Sequence, residues 1–128
     1  MRVSGGVWLS GLVWLLFHYG LRRKTDFGYT SHPLEHWSLA LHGLFGFAAL
    51  WMFGLLWGVH IKAGWRRRDR RWSGGVLFGA VAWLAGSGLG LYYLENQDVL
   101  TWLAVAHWAV GVSAAGAFLL HWLSRARA

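Results

Sequence analysis

Residues 33–62 decide the fold and read PLEHWSLALHGLFGFAALWMFGLLWGVHIK. The stretch is long enough to cross a bilayer as an α-helix, since about 20 mostly apolar residues suffice. It carries His42 near one end and His60, 18 residues later, near the other. At about 3.6 residues per turn and 1.5 Å per residue, the two imidazoles share one helical face and lie roughly 27 Å apart. The stretch therefore predicts a membrane-spanning helix with a histidine at each end of one face.

The last apolar run, residues 99–123, repeats this arrangement with His107 and His121, 14 residues apart. These two also fall on nearly the same helical face, roughly 21 Å apart. His42 and His107 each lie eight residues after the predicted start of their run, and His60 and His121 lie near the ends. Matching depths predict that His42 pairs with His107 and that His60 pairs with His121.

Composition places the chain in a membrane. It has 128 residues, of which 56% are hydrophobic and 13% charged, too few polar residues to cover a soluble domain of this size. Four runs contain 18 or more mostly apolar residues, which is the transmembrane signature. Backbone groups in lipid must be satisfied within a segment, so each run is predicted to be helical. The predicted fold is an all-α, integral membrane four-helix bundle that forms one domain over residues 1–128, with helices at about 3–21, 34–61, 73–94 and 99–123.

The net charge of +7 comes from Lys and Arg at helix ends rather than from a nucleic-acid-binding surface. Cytoplasmic loops of membrane proteins carry an excess of these residues. Nine of them fall on one predicted side: Arg2, Lys62, Arg66, Arg67, Arg68, Arg70, Arg71, Arg125 and Arg127. Three, at positions 22–24, fall on the other. Both termini are therefore expected to be cytoplasmic, in a multi-pass protein of a bacterial cytoplasmic (inner) membrane, in contact with lipid and not with nucleic acid.

Cysteine is absent, which excludes covalent c-type haem, iron–sulfur clusters and disulfides within this chain. Polar residues inside a membrane are costly and usually functional. A single histidine in an apolar helix is usually a hydrogen-bonded core residue, but four at matching depths favour ligand roles. Gly46 and Gly111 lie one turn inward from His42 and His107, which would leave space for a porphyrin edge.

The four histidines are therefore predicted to be the axial ligands of two b-type haems: His42, His107, His60 and His121. A haem iron with both axial positions filled by histidine passes electrons rather than binding oxygen or substrate. A hydrogen bond to the second ring nitrogen of each ligand would orient the ring. For His42 this partner is expected to be Ser38 or a backbone carbonyl.

Three further histidines, His18, His32 and His36, are expected at the outer surface. They are either interfacial polar residues, part of a quinone or quinol pocket, or ligands of a further metal or haem. In the quinone interpretation, His18, Glu35 and His36 exchange protons with the ring oxygens, because imidazole and carboxylate groups act as acids and bases.

Residues 36–43, HWSLALHG, and residues 107–123, HWAVGVSAAGAFLLHWL, resemble the histidine helices of small bacterial di-haem cytochrome b membrane proteins. This group includes the cytochrome b subunits of formate dehydrogenases and nickel–iron hydrogenases. The resemblance implies two haems, held by the four histidines named above, and electron transfer between quinone and a redox partner subunit or cytochrome. Two histidines on each of two helices is also similar to the cytochrome b of quinol–cytochrome c reductases, whereas the formate dehydrogenase type spreads its ligands over three helices.

Two other functions remain open. Histidine with nearby tryptophan also suits bacteriochlorophyll, which needs one histidine per magnesium and no depth-matched pairs. A non-redox scaffold subunit of a membrane complex would bury its histidines and bind no chromophore. A transporter is disfavoured because no acidic residue lies deep in a predicted helix. The sequence shows no nucleophile and base motif, so an enzymatic role would come from membership of an oxidoreductase complex.

Overall fold

The computed structural model describes residues 2–26, 28–68 and 71–123. Four stretches of helix and one small hairpin make up these residues. In chain order the elements are α1 (Arg2–Leu15), a π-helical turn (Leu16–Gly20), β1 (Arg23–Thr25), β2 (Gly28–Thr30), α2 (Pro33–Leu56), a second π-helical turn (Trp57–Ile61), α3 (Lys62–Arg66), α4 (Arg71–Tyr93) and α5 (Gln97–Leu123).

The predicted helical fold is confirmed as a set of helices, three of them long and apolar enough to cross a membrane. These three are Pro33–Arg66, Arg71–Tyr93 and Gln97–Leu123. The first predicted run is α-helical over 14 residues, Arg2–Leu15, before its π turn, and is not among the three found in the described residues. Its membrane crossing and the orientation of the termini stay predictions. Residues 69–70 and 124–128, whose arginines entered the orientation argument, lie outside the described residues.

Local capping explains where two helices begin. Pro33 stands at the start of α2, where its missing N–H costs nothing. The Leu34 N–H donates to His32 Nδ1 at 3.2 Å, so His32 caps this helix. The Asn96 Oδ1 accepts from the Asp98 N–H at 3.1 Å and caps α5.

The hairpin between α1 and α2 was not predicted. β1 and β2 pair antiparallel, with Arg23 opposite Thr30 and Thr25 opposite Gly28. Gly28 has a φ of 116°, a conformation that glycine adopts without the strain of a side chain. The strands are three residues each, too short for the sequence pattern to separate them from a loop.

Burial follows a membrane protein's pattern, with apolar side chains outside. Trp72 is 90% exposed and Phe47 is 77% exposed. The buried positions among the described residues are Ala114 and three serines, Ser10, Ser38 and Ser87. An apolar exterior suits lipid, so the few buried polar groups mark where the helices make specific contacts.

The chain divides into two compact units, Met1–Phe53 and Gly54–Ala128, each described by itself. In the first unit, α1 approaches α2 at glycines: a Cβ on Gly6 would lie 2.6 Å from the Phe45 ring. In the second unit, α4 packs along α5. There a Cβ on Gly90 would lie 2.8 Å from Leu103. Close approach of this kind is typical of membrane helices with small residues at their interface.

Candidate functional site

His42 on α2 is held by two groups of α1. Its Nδ1 lies 3.0 Å from the Val7 carbonyl oxygen and 3.3 Å from Ser10 Oγ. A carbonyl oxygen can only accept, so Nδ1 carries the ring proton and the neutral ring has its lone pair on Nε2. The expected backbone carbonyl partner is therefore present. Ser38, the alternative partner, instead donates to the Glu35 carbonyl of its own helix at 2.8 Å.

His107 on α5 has an equivalent partner on α4. Its Nδ1 lies 2.8 Å from Ser87 Oγ. The Ser87 hydroxyl donates to the Trp83 carbonyl at 2.7 Å, which leaves its oxygen to accept the Nδ1 proton of His107. Serine in an apolar helix commonly bonds back to its own backbone in this way. The ring of His107 is thus fixed with its lone pair on Nε2.

His121 repeats the contact in the last turn of α5. Its Nδ1 lies 2.9 Å from the hydroxyl oxygen of Ser73 on α4. Three of the four predicted ligands therefore have a serine of a neighbouring helix at Nδ1. Histidines that bind metals nearly always use their second nitrogen for such a hydrogen bond.

The structure brings the predicted inner pair together. The ring centroids of His60 and His121 lie 6.5 Å apart, with the ring planes at 90°. Imidazole nitrogens bind metals at about 2.0–2.1 Å, so two rings that share one metal ion have centroids roughly 6 Å apart. The spacing of His60 and His121 fits two axial ligands of one iron.

His60 lies in the second π-helical turn, Trp57–Ile61, and is exposed. Such turns are rare and occur frequently at functional sites. The shared face predicted for His42 and His60 assumes a rotation of about 100° per residue between them. The π-helical turn changes that rotation before His60 is reached. The pairing of His42 with His107 joins one residue of each unit and stays a prediction.

Small residues leave space along α5. A groove of about 310 Å³ lies between α4 and α5, on the part of α5 between His107 and His121. It is lined by Val76, Ala80, Ala109, Val110, Ser113, Ala114 and Ala117. A Cβ on Gly111 would meet Leu84 at 3.8 Å, and one on Gly46 would meet nothing within 4 Å. Gly46 therefore has open space where a side chain would lie, whereas a side chain at Gly111 would be in van der Waals contact with Leu84.

Within the described residues, no group of three or more His, Asp or Glu side chains could hold a metal ion. A haem with two axial histidines takes two side chains from the protein, and the His60 and His121 pair supplies that number. The donor set is two imidazoles, a ligand type that suits haem iron.

Two of the three predicted quinone-site residues meet within the first unit. His18 Nδ1 lies 2.6 Å from Glu35 Oε1, with 33% of the His18 side chain and 15% of the Glu35 side chain exposed. Trp14 stacks on His18 at 4.5 Å, with the rings 14° from parallel. His18 lies in the first π-helical turn, so both such turns contain a candidate functional histidine.

The other two histidines that were expected at the outer surface take other roles. His36, the third predicted quinone-site residue, is exposed and lies edge-on to Trp37 at 5.9 Å. His32 stacks on Phe17 at 4.5 Å in addition to capping α2. His36 is therefore outside the His18 and Glu35 pair, and His32 has a structural role.

Sequence reasoning missed the serines at positions 10, 73 and 87. A signal for them exists, because serine is uncommon inside these apolar helices and each one lies on the helix that precedes its histidine. Comparison with protein-family models, with curated proteins and with solved structures gives no match. The site is therefore interpreted from its own geometry.

Proposed function

We propose that this chain is a membrane electron-transfer protein that holds two b-type haems, each between two histidines. The approach of His60 to His121 at 6.5 Å is the observation that carries the proposal. His60 and His121 would hold one haem. His42 and His107, matched by their depth in the sequence, would hold the other.

The bound haems would each supply a one-electron carrier of low-spin iron. The protein contributes neutral imidazoles, whose orientation is supported by the hydroxyl groups of Ser10, Ser87 and Ser73. The apolar exterior of the helices keeps water away from the ligands and holds the chain in lipid. We expect the inner membrane of a bacterium, with both termini on the cytoplasmic side.

The His18 and Glu35 pair supports a quinone site near the outer end of α2. A quinol releases two protons as it gives up two electrons, so its site needs groups that accept protons. The His18 ring has Nδ1 bonded to Glu35, which leaves Nε2 as the position that exchanges a proton with the quinone ring. The carboxylate then offers a second place for that proton. The proposed partners are a membrane quinone and a redox subunit or cytochrome.

A reduced-minus-oxidised visible spectrum, with haem counted as the pyridine haemochrome, tests the proposal on protein purified from its own membranes. Two low-spin b haems per chain are expected, falling to one in His121→Ala. His36→Ala is the matched control, because this exposed histidine lies outside both proposed ligand pairs.

A wild-type protein without haem contradicts the proposal. A pigment that absorbs in the near infrared would then indicate bacteriochlorophyll binding, with one histidine per magnesium. A colourless protein would indicate a scaffold subunit whose histidines serve packing.

A further inference from the structure

We infer that Ser10, Ser73 and Ser87 are positioning residues that set the redox potential and the affinity of the haem sites through the histidines they contact. The inference rests on the proposed function, since it concerns the same ligands. Each serine lies on the helix that precedes its histidine, and each Oγ lies 2.8–3.3 Å from Nδ1 of the ring.

The direction of two of these hydrogen bonds follows from the other contacts of Ser10 and Ser87. Ser10 donates to the Gly6 carbonyl at 2.7 Å, and Ser87 donates to the Trp83 carbonyl at 2.7 Å. A hydroxyl has one proton, so once it is donated the oxygen can only accept from Nδ1. Ser10 and Ser87 therefore accept the Nδ1 proton of their histidines, and in the neutral ring Nε2 carries the lone pair that a metal requires. Ser10 shares the Nδ1 proton of His42 with the Val7 carbonyl, which lies 3.0 Å from it.

Burial makes these contacts specific. Ser87 is 5% exposed and Ser10 is 8% exposed, although most side chains on these helices face outward. A buried N–H without a partner is strongly unfavourable, so each of these two rings is held in the orientation that satisfies its Nδ1. Ser87 on α4 thus fixes the rotation of His107 on α5, and Ser10 together with the Val7 carbonyl fixes that of His42.

The expected electronic effect has a definite sign. A hydrogen bond from Nδ1–H makes the imidazole a more basic ligand. A more basic ligand stabilises oxidised iron more than reduced iron and lowers the potential. Removing the serine oxygen should therefore raise the potential and weaken haem binding, typically by 10–100-fold for partners of this kind.

The test is a redox titration of the purified protein, followed by optical absorption, in the variants Ser10→Ala, Ser73→Ala and Ser87→Ala. In each, the potential of one haem should rise, and a tenfold change in the relative stability of the two iron states is 59 mV for one electron. The rise should be smallest in Ser10→Ala, because the Val7 carbonyl still accepts the Nδ1 proton of His42. Ser→Thr at the same positions keeps the hydroxyl and should restore the wild-type potential.

Ser38→Ala is the matched control. Ser38 is 6% exposed, as buried as Ser10 and Ser87, but its hydroxyl bonds to the Glu35 carbonyl of its own helix. Its replacement should change packing without changing either potential. Where an alanine variant fails to fold, a Ser→Cys variant at the same position takes its place. The thiol fills the space of the hydroxyl but is only a weak hydrogen-bond acceptor.

The outcomes separate the two proposals. Two haems whose potentials respond to the three serines and not to Ser38 support the inference. If haem is present but the potentials of the three alanine variants equal those of Ser38→Ala, the serine inference alone is overturned. A wild-type protein without low-spin haem overturns both.

Discussion

His18 in the first unit and His121 in the second have different hydrogen-bonding partners. The Nδ1 of His18 lies 2.6 Å from the carboxylate of Glu35, whereas the Nδ1 of His121 lies 2.9 Å from the hydroxyl of Ser73. The His18 and Glu35 pair is partly exposed at the end of a helix. The ring centroid of His121 lies 6.5 Å from that of another histidine, His60. The group at Nδ1 therefore distinguishes two kinds of histidine, one bonded to a carboxylate and one bonded to a hydroxyl.

A carboxylate partner suits a histidine that exchanges protons, because it can take up or return the proton of the ring. A serine partner carries no charge, and the neutral imidazole is the form that binds a metal. Placing a charge inside a membrane is unfavourable, so an uncharged partner suits a proposed haem ligand between apolar helices. The comparison predicts that changes in the two regions affect different measurements.

The largest effect should come from removing a ligand in a π-helical turn. His60→Ala should lower the haem content from two to one per chain, because one iron loses an axial ligand. His18→Ala is the matched change in the other π turn and should leave both haems in place. Pyridine haemochrome measurements on the two variants decide this. An equal loss of haem in both would contradict the separation of roles.

The next effect concerns proton exchange. Glu35→Gln removes the proton-accepting group beside His18 and should slow reduction of the haems by a quinol analogue by about 10²-fold, the low end for acid and base groups. Haem content and potentials should stay unchanged. Glu95→Gln, in the exposed connection between α4 and α5, is the control. Stopped-flow absorption measures the rate, and an unchanged rate in Glu35→Gln would remove the quinone site from the proposal.

A smaller effect should follow from exchanging the type of partner. Ser73→Asp gives His121 a carboxylate, as Glu35 gives His18. A stronger acceptor makes the ring more basic, so the potential of this haem should fall, by about 59 mV for each tenfold change in relative stability. Ser73→Ala should shift it in the opposite direction. Optical redox titration measures both, and shifts of the same sign would show that the serine acts only through packing.

The smallest effect should come from crowding a ligand. A Cβ on Gly11 would lie 3.1 Å from Cε1 of His42, so Gly11→Ala should displace the ring slightly. Gly5→Ala on the same helix meets nothing within 4 Å and measures the change in helix propensity alone. The difference in unfolding free energy should be about 1 kcal/mol, the lower limit for overpacking. Thermal unfolding in detergent measures it, and equal stability of the two variants would place His42 further from α1.

Much of the fold could be predicted because it depends on local properties. The predicted run 99–123 begins two residues after the observed start of α5 at Gln97, since the Asn96 cap defines where that helix begins. The positions of the histidines in the helices followed directly. The two π-helical turns could not be predicted, because a one-residue change in hydrogen bonding does not alter the hydropathy pattern clearly.

The sequence by itself determined that this chain forms apolar helices of membrane-spanning length and that four of its histidines occur at two matching depths. Only the tertiary structure decided that Ser73 meets His121, that His60 approaches the same ring and that His18 bonds Glu35. The physical reason is that these helices are apolar on all sides, so periodicity does not indicate which face points inward. Close contacts between neighbouring helices fix that rotation, and the contacts depend on residues far apart in the chain.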